Sequence, residues 1–264
     1  MKKIMTFLVL FSLIFFVSCK EKEEETNNQE EEQTKEKAEY IHLFKDLKDE
    51  EFAIEAFKLE NIPFVLMEKI SRLPSYRKET KGETTASFLI TYHQKIDDTY
   101  IKNEEENHLI TISTSTLVDV YLEAYFKQEN IEIRTKEDDD FSNMTYEEFK
   151  NKYGIFPYDY NIEGFQITKE SLLSIEKLYN KDGLNAYKIV IDGEIGSRNL
   201  KHQMQEYGSL KSEPVFSYVE MELIIKDDFT PVMIIFTAQY TIHYPVLGKM
   251  ECTQNYQVNY YIPE

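Results

Sequence analysis

The sequence predicts an α+β domain: a strongly curved antiparallel sheet, or half-open barrel, with helices covering its concave face. Three observations lead to this fold class. Residues 40–73 carry apolar side chains at helical spacing, whereas residues 84–135 and 186–262 alternate apolar and polar side chains with period two. Short polar turns separate the alternating stretches, as in a meander of antiparallel strands. Tyrosine (19 residues) and phenylalanine (17 residues) also favour strands.

Two helices are predicted before the first strand. Residues 40–59 have a roughly helical apolar period, Pro63 interrupts it, and Pro74 ends a second helix over 64–73. The second helix is amphipathic because its apolar residues recur every third position, at Phe64, Met67, Ile70 and Leu73.

Eight strands and a helical insertion follow. Thr145 and Glu148 have the spacing of a capping box, which predicts a short helix over 145–153. Residues 168–172 have the composition of a further helix start, and residues 197–212 are polar and fit either helix or loop. The predicted strands are 84–94, 107–114, 118–126, 131–135, 186–191, 215–225, 231–244 and 250–262.

The first 19 residues have the features of a signal peptide with a lipidation site. Two lysines precede an apolar run over residues 4–17, which is short for a transmembrane span, and Ser18-Cys19 ends it. This end resembles a lipobox, although Phe16 stands where leucine is usual. The resemblance implies cleavage before Cys19 and lipidation of Cys19, with the chain anchored on the extracytoplasmic side of the cell membrane or outer membrane. The alternative is an uncleaved N-terminal anchor helix.

Composition divides the chain into three parts. Residues 1–18 are the predicted signal peptide, 19–39 the lipidated cysteine with a disordered acidic tether, and 40–264 a single domain. Residues 20–39 hold nine Glu and four Lys, so they cannot bury enough apolar surface to fold. The formal net charge of the chain is -18, which repels phosphate backbones and excludes nucleic acid as a partner. Contact with a membrane is expected through the lipid anchor.

The sequence contains no catalytic signature. Its five histidines lack metal-ligand spacing, and no nucleophile elbow or phosphate-binding loop occurs. Ser174 and Lys177 match S-x-x-K without its companion motifs, and the acidic run Glu137–Asp140 lacks EF-hand spacing. We therefore expect no enzyme activity, no metal and no cofactor, with the acidic run as a solvated loop. The histidines are His42, His93, His108, His202 and His243.

The two cysteines have different expected roles. Cys252 lies in an alternating apolar stretch and is expected to be a small buried residue instead of a reactive thiol. If Cys19 carries lipid, no second thiol remains for an intramolecular disulfide. The domain must then be stabilised by its core alone.

Four segments carry a family resemblance. They are the amphipathic helix ending near Leu73, the strand start at Gly82–Tyr92, the KIVIDGE segment at Lys188–Glu194 and the closing strand that ends in Tyr260–Pro263. Together with the order of elements, they are similar to the LolA/LppX-like group of bacterial lipoprotein and lipid carriers, over most of residues 60–264. The resemblance implies that the space between curved sheet and helices can accept acyl chains.

The leading hypothesis is a membrane-anchored lipoprotein that binds an apolar ligand, such as an acyl chain, between sheet and helices. The alternative is a non-enzymatic surface lipoprotein whose acidic face or strand edges contact another envelope protein. Ordinary core packing is an alternative role for its aromatic residues. The candidate cavity-lining residues are Phe64, Met67, Ile70, Phe216, Tyr218, Phe236 and Tyr240.

Overall fold

The last three strands show why this chain forms a sheet. β9 (Ser212–Lys226), β10 (Pro231–Tyr244) and β11 (Gly248–Tyr261) alternate buried and exposed side chains, so one face of each is apolar. A turn at Asp227 and Asp228 joins the first two, as predicted. The computed structural model describes residues 58–87, 91–103, 107–115, 119–153, 165–198, 200–201, 204–205, 210–245 and 248–263.

Eight further strands complete the sheet. They are β1 (Tyr76–Ser87), β2 (Thr91–Lys102), β3 (Asn107–Ser115), β4 (Val120–Phe126), β5 (Ile131–Arg134), β6 (Ser142–Met144), β7 (Leu172–Lys181) and β8 (Leu184–Ile191). All eleven pair antiparallel, in the order β6-β5-β4-β3-β2-β1-β11-β10-β9-β8-β7. The order is open, with β6 at one end and β7 at the other. A twisted sheet of this width curves, which confirms the predicted curved antiparallel sheet.

The centre of the sheet joins the first strand to the last. β1 pairs with β11 from Arg77 opposite Tyr261 to Ser87 opposite Glu251. Gly82 sits in the middle of this pairing, where an added Cβ would overlap the ring of Tyr256 and the neighbouring backbone. Glycine is required there because the two strands and that ring approach so closely.

The structure gives the bounds of one 3-10 turn and three helices, and the described positions 198, 200–201 and 204–205 are also helical. The turn covers Leu59–Asn61, and the helices are α1 (Ile62–Arg72), α2 (Tyr146–Tyr153) and α3 (Gly193–Gly196). α1 confirms the amphipathic helix predicted over 64–73, with Pro63 inside its first turn. The capping box of α2 is confirmed, since the Thr145 and Glu148 side chains each bind the other residue's backbone N–H. The predicted helix over 40–59 lies outside the described residues up to position 57.

In the described part of the chain, no helix combines the length and apolarity that a membrane span requires.

Two apolar clusters cover one face of the sheet. The main cluster lies on β8–β11, with residues of α1 and of the ends of β1 and β2. The second cluster lies on β2–β5, the first residue of β1 and α2. Ile70 and Tyr260 pack against both clusters and link them. Defining members of the main cluster are Phe64, Met67, Phe165, Phe216, Met221, Phe236, Tyr240 and Tyr256, and of the second Tyr76, Tyr100, Leu122, Phe126, Ile131 and Phe149.

Two sequence expectations about the elements are wrong. The single strand predicted over 84–94 is the end of β1 and the start of β2, with β1 beginning at Tyr76. The helix start at 168–172 is instead a turn before β7: Thr168 and Ser171 exchange side-chain hydrogen bonds with each other's backbone N–H groups, and a strand follows. These are the same hydrogen bonds that a capping box forms, and this is why the composition of residues 168–172 resembles a helix start.

Candidate functional site

Three of the four strand residues proposed as cavity lining, Phe216, Phe236 and Tyr240, belong to a row of aromatic rings in the main cluster. The ring of Phe216 lies 4.8 Å from that of Tyr240, centroid to centroid. Phe165 contacts two of these rings, at 5.2 Å from Phe216 and 5.0 Å from Phe236. All four residues are at most 5% exposed. The rings therefore pack on one another and form an aromatic wall.

Helix α1 contributes buried residues to the main cluster. Phe64 and Met67 are buried there, and Ile70 is partly buried at the junction of the two clusters. Methionine side chains are flexible and fill irregular apolar space. The main cluster holds Met67, Met204, Met221 and Met250, which is half of the eight methionines in the chain.

Tyr218 does not share the interior with Phe216. A β-bulge shifts the register so that Gln239 lies opposite Tyr218 while Tyr240 lies opposite Phe216. The alternation of buried residues in β9 therefore changes phase after Phe216, and Tyr218 faces the other side of the sheet. There its hydroxyl donates a hydrogen bond to Glu220, which raises the pKa of Tyr218. The simple alternation of Phe216 and Tyr218 in the sequence did not reveal this bulge.

Cys252 confirms the expectation of a small buried residue. It is 3% exposed and belongs to the main cluster. Burial raises the pKa of the Cys252 thiol to about 12, so the nucleophilic thiolate is scarce at neutral pH.

Buried polar side chains lie among the apolar ones on the strands at the centre of the sheet. Thr84 and Tyr256 share a hydrogen bond at 3.0 Å across the β1–β11 pair, and Gln94 donates to Ser113 at 2.8 Å across the β2–β3 pair. Thr111, also buried, has no hydrogen-bond partner for its Oγ1 among the described residues. This polar band fixes the strand register at the centre of the sheet, because a slip would leave these groups unpaired.

The other face of β3–β5 carries a hydrogen-bonded group that the sequence did not reveal. Glu123 is 5% exposed and accepts from Tyr121 at 2.7 Å and from Arg134 Nε at 2.7 Å. His108 Nε2 lies 3.0 Å from its other oxygen, and the His108 ring stacks on Tyr125 at 4.1 Å. We call these five residues the Glu123 cluster. Tyr121, Glu123 and Tyr125 alternate along β4, but His108 and Arg134 reach Glu123 only when β3 and β5 pair with β4, so the sequence does not indicate the whole group.

The pKa of Glu123 follows from this environment. Burial raises it, but the hydrogen bonds from Tyr121, Arg134 and His108 together lower it further. The net result is a pKa below the ordinary value of a glutamate. Glu123 therefore stays ionised and holds the cluster together at neutral pH.

A cleft of about 440 Å³ opens where β1 begins and β2 and β11 end. We call it the strand-end cleft. Its walls are mostly apolar, and its cationic side chains belong to Arg77 and Lys102. Its main wall residues are Tyr76, Arg77, Ile101, Lys102, Tyr261 and Ile262. These residues come from three separate parts of the chain, so the sequence alone does not predict the cleft.

The remaining sequence candidates do not assemble into a chemical site. Ser174 and Lys177 lie three positions apart on β7, which places their side chains on opposite faces of a strand. Glu137 to Asp140 lie in the exposed segment between β5 and β6. Across the described ranges, no group of three or more His, Cys, Asp or Glu side chains could hold a metal ion.

Comparison with known proteins gives little beyond this geometry. No family model matches the sequence, and no curated protein matches it. Among solved structures, a DUF1329 family protein from Desulfovibrio piger is 8% identical, with 76% of this chain and 89% of that chain covered at a TM-score of 0.26. A candidate outer membrane lipoprotein-sorting protein domain from Vibrio parahaemolyticus is 8% identical, with 78% and 91% covered at a TM-score of 0.27. Both scores are low, so these likenesses identify neither a family nor a function for this chain.

Proposed function

We propose that this chain is a membrane-anchored extracytoplasmic lipoprotein that binds an apolar ligand, such as an acyl chain, between the curved sheet and helices on its concave face. The observation that carries the proposal is the composition of the main cluster. Phe64 and Met67 of α1 share this cluster with the aromatic rings of Phe165, Phe216, Phe236 and Tyr240 and with three further methionines. Flexible methionines beside rigid rings suit a site that repacks around a flexible apolar chain.

Anchoring at Cys19 completes the proposal. The signal-like segment and the acidic tether would hold the domain clear of the membrane surface, where it can exchange ligand with the bilayer. The role is non-enzymatic: the domain holds the ligand and carries out no chemistry on it. The side chains of the Glu123 cluster are engaged in hydrogen bonds with one another.

Lipid extraction tests the proposal. The full-length protein is purified from membranes, and its non-covalent lipids are extracted and quantified by mass spectrometry. We expect bound acyl lipid in the wild type and in Met67→Leu, which conserves side-chain volume. Met67→Trp fills the space next to Phe64 and should reduce the bound lipid several-fold. Protein that carries no extractable lipid, and takes up no acyl chain when one is offered, would contradict the proposal.

A second candidate function has its own observation, at the edge of the sheet. β7 is the terminal strand of the sheet and exposes Leu173, Leu178 and Tyr179 by 61%, 41% and 43%. An exposed apolar edge favours strand addition by a partner protein, which would suit a surface lipoprotein that contacts an envelope component. Crosslinking in intact cells tests this: Leu178→Lys should remove a crosslinked partner if β7 binds one. Unchanged crosslinking would exclude β7 as the contact.

A further inference from the structure

None of the residues proposed to line the interior site belongs to the lining of the strand-end cleft. Arg77 lies opposite Tyr261 of β11 and opposite Ile101 of β2, so the three side chains stand side by side at the strand ends. Arg77 is exposed while its neighbour Tyr76 is buried in the second cluster. The cleft therefore wraps around the end of the sheet, and Tyr76 and Ile262 connect its floor with the second cluster.

Two cations flank these apolar walls. The Arg77 guanidinium lies 5.8 Å from the ring centroid of Tyr261, and the Lys102 ammonium lies 5.8 Å from that of Tyr76. Both rings thus present an apolar surface with a positive charge directly above it. The chain as a whole carries a formal net charge of -18, so this is a local reversal of the overall charge.

Both cations retain capacity for an anion. Lys102 donates to the backbone carbonyl of Ser71 at 3.2 Å, which is a neutral acceptor. Its burial lowers the pKa of Lys102, and a nearby anion would compensate for this loss of hydration. Arg77 forms an ion pair with Glu79, but a guanidinium has five N–H donors and can serve a second acceptor.

We propose that the strand-end cleft binds an amphiphile with an anionic head group, its chain on Tyr76, Ile101 and Ile262 and its head facing Arg77 and Lys102. The cleft volume of about 440 Å³ is within the range of small-ligand pockets. A carboxylate and a phosphate monoester share the recognition chemistry, since both accept charge-assisted hydrogen bonds from Arg and Lys. This site does not depend on a ligand between α1 and the sheet.

Photocrosslinking on the full-length protein in its membrane tests the site. The probe is dodecanoic acid with a diazirine in its chain, and labelled residues are mapped by mass spectrometry. We expect labels within residues 75–77, 101–103 and 261–263. The double variant Arg77→Gln with Lys102→Gln should reduce this labelling about ten-fold, as expected for loss of charge-assisted hydrogen bonds. The matched control is Lys81→Gln with Lys95→Gln, two exposed lysines on the same strands, and should label like the wild type.

Further arms identify the head group and separate the two sites. The corresponding dodecanol probe should not label the cleft. Equal labelling by the alcohol and the acid would overturn the proposal. Undiminished labelling of the double variant would also overturn it. Competition by unlabelled dodecanoate alone assigns a carboxylate ligand, and competition by dodecyl phosphate alone assigns a phosphate ligand. Labels at Phe64 or Phe236 without labels in the cleft would overturn this site and support the interior one. Labels in the cleft alone would support this site and count against a ligand in the interior.

Discussion

Single residues determine how the outer face of β3–β5 is held together, and Glu123 is the clearest case. We expect Glu123→Gln to lower the free energy of unfolding by roughly 2 kcal/mol, because Arg134 and His108 lose a buried charged acceptor. Urea titration measures this. The control is Glu132→Gln on the adjacent strand, whose ion pair with Lys127 is solvent-exposed and should contribute less than about 0.5 kcal/mol. Equal losses in both variants would contradict a special role for Glu123.

The lowered pKa of Glu123 gives a pH dependence with a definite sign. In the unfolded chain the Glu123 carboxyl has an ordinary pKa of about 4.3, and in the folded protein its pKa is lower. Between these two pKa values, the folded protein binds fewer protons at Glu123 than the unfolded chain does. The contribution of Glu123 to stability is therefore present above about pH 5 and lost as the pH falls through the folded-state pKa. We expect the stability gap between wild type and Glu123→Gln to shrink between pH 6 and about pH 3. A gap that grows on acidification would show that the sign is wrong.

The number of free thiols per chain tests the predicted lipidation of Cys19, because Cys252 is the other cysteine in the sequence. A maleimide should label native protein very slowly, because Cys252 is 3% exposed and its pKa is raised to about 12. In denaturing urea, one thiol per chain is expected if Cys19 is blocked by lipid. The variant Cys252→Ser should then show none. A remaining thiol in that variant would disprove lipidation at Cys19.

At the scale of elements, strands with a clear apolar face were predictable and others were not. The three last strands alternate so regularly that the sequence locates them to within a few residues. The first half of β1 is YRKETKGE, whose buried positions are Tyr76 and Thr80, so charged neighbours hide the alternation. β7 is exposed along most of its length and carries no pattern, because an edge strand outside the core has no buried face to show.

Gly82 offers a test of the central strand pair. Gly82→Ala should lower the free energy of unfolding by about 2 kcal/mol or more, because the new methyl group overlaps Tyr256 and forces β1 and β11 apart. Thermal or urea unfolding measures the loss. Lys81→Ala, at the exposed neighbouring position, should stay within about 0.5 kcal/mol of wild type. A neutral Gly82→Ala would mean that the two strands tolerate a wider separation.

At the scale of the whole molecule, one sheet and two linked clusters predict cooperative unfolding. Ile70 and Tyr260 pack against both clusters, so neither cluster can lose its packing without exposing part of the other. Tyrosine fluorescence and far-ultraviolet circular dichroism should give coincident urea transitions. Ile70→Ala should weaken this link and separate the two curves. Separate transitions in the wild type would show that the clusters unfold independently.

Some residues of the candidate sites are predictable from the sequence, and others are not. Phe64 and Met67 were predictable because helical spacing places them on one face of α1. The position of Tyr218 was not, since a bulge in β9 has no signature in the alternation itself. The strand-end cleft and the Glu123 cluster depend on which strands become neighbours, and pairing between distant strands is set by the whole sheet.

The pairing of β1 with β11 also constrains the order in which parts of the sheet fold. The hydrogen bond between Thr84 and Tyr256 spans 172 residues, and closing so long a loop is entropically costly and slow. The central seam cannot form until the C-terminal strand is available, whereas hairpins on either side can form earlier. If the chain is exported in an extended state, as the proposed function requires, the sheet closes only after β11 has emerged. A C-terminal truncation would leave two half-sheets with unpaired central edges, which is a state prone to aggregation and proteolysis.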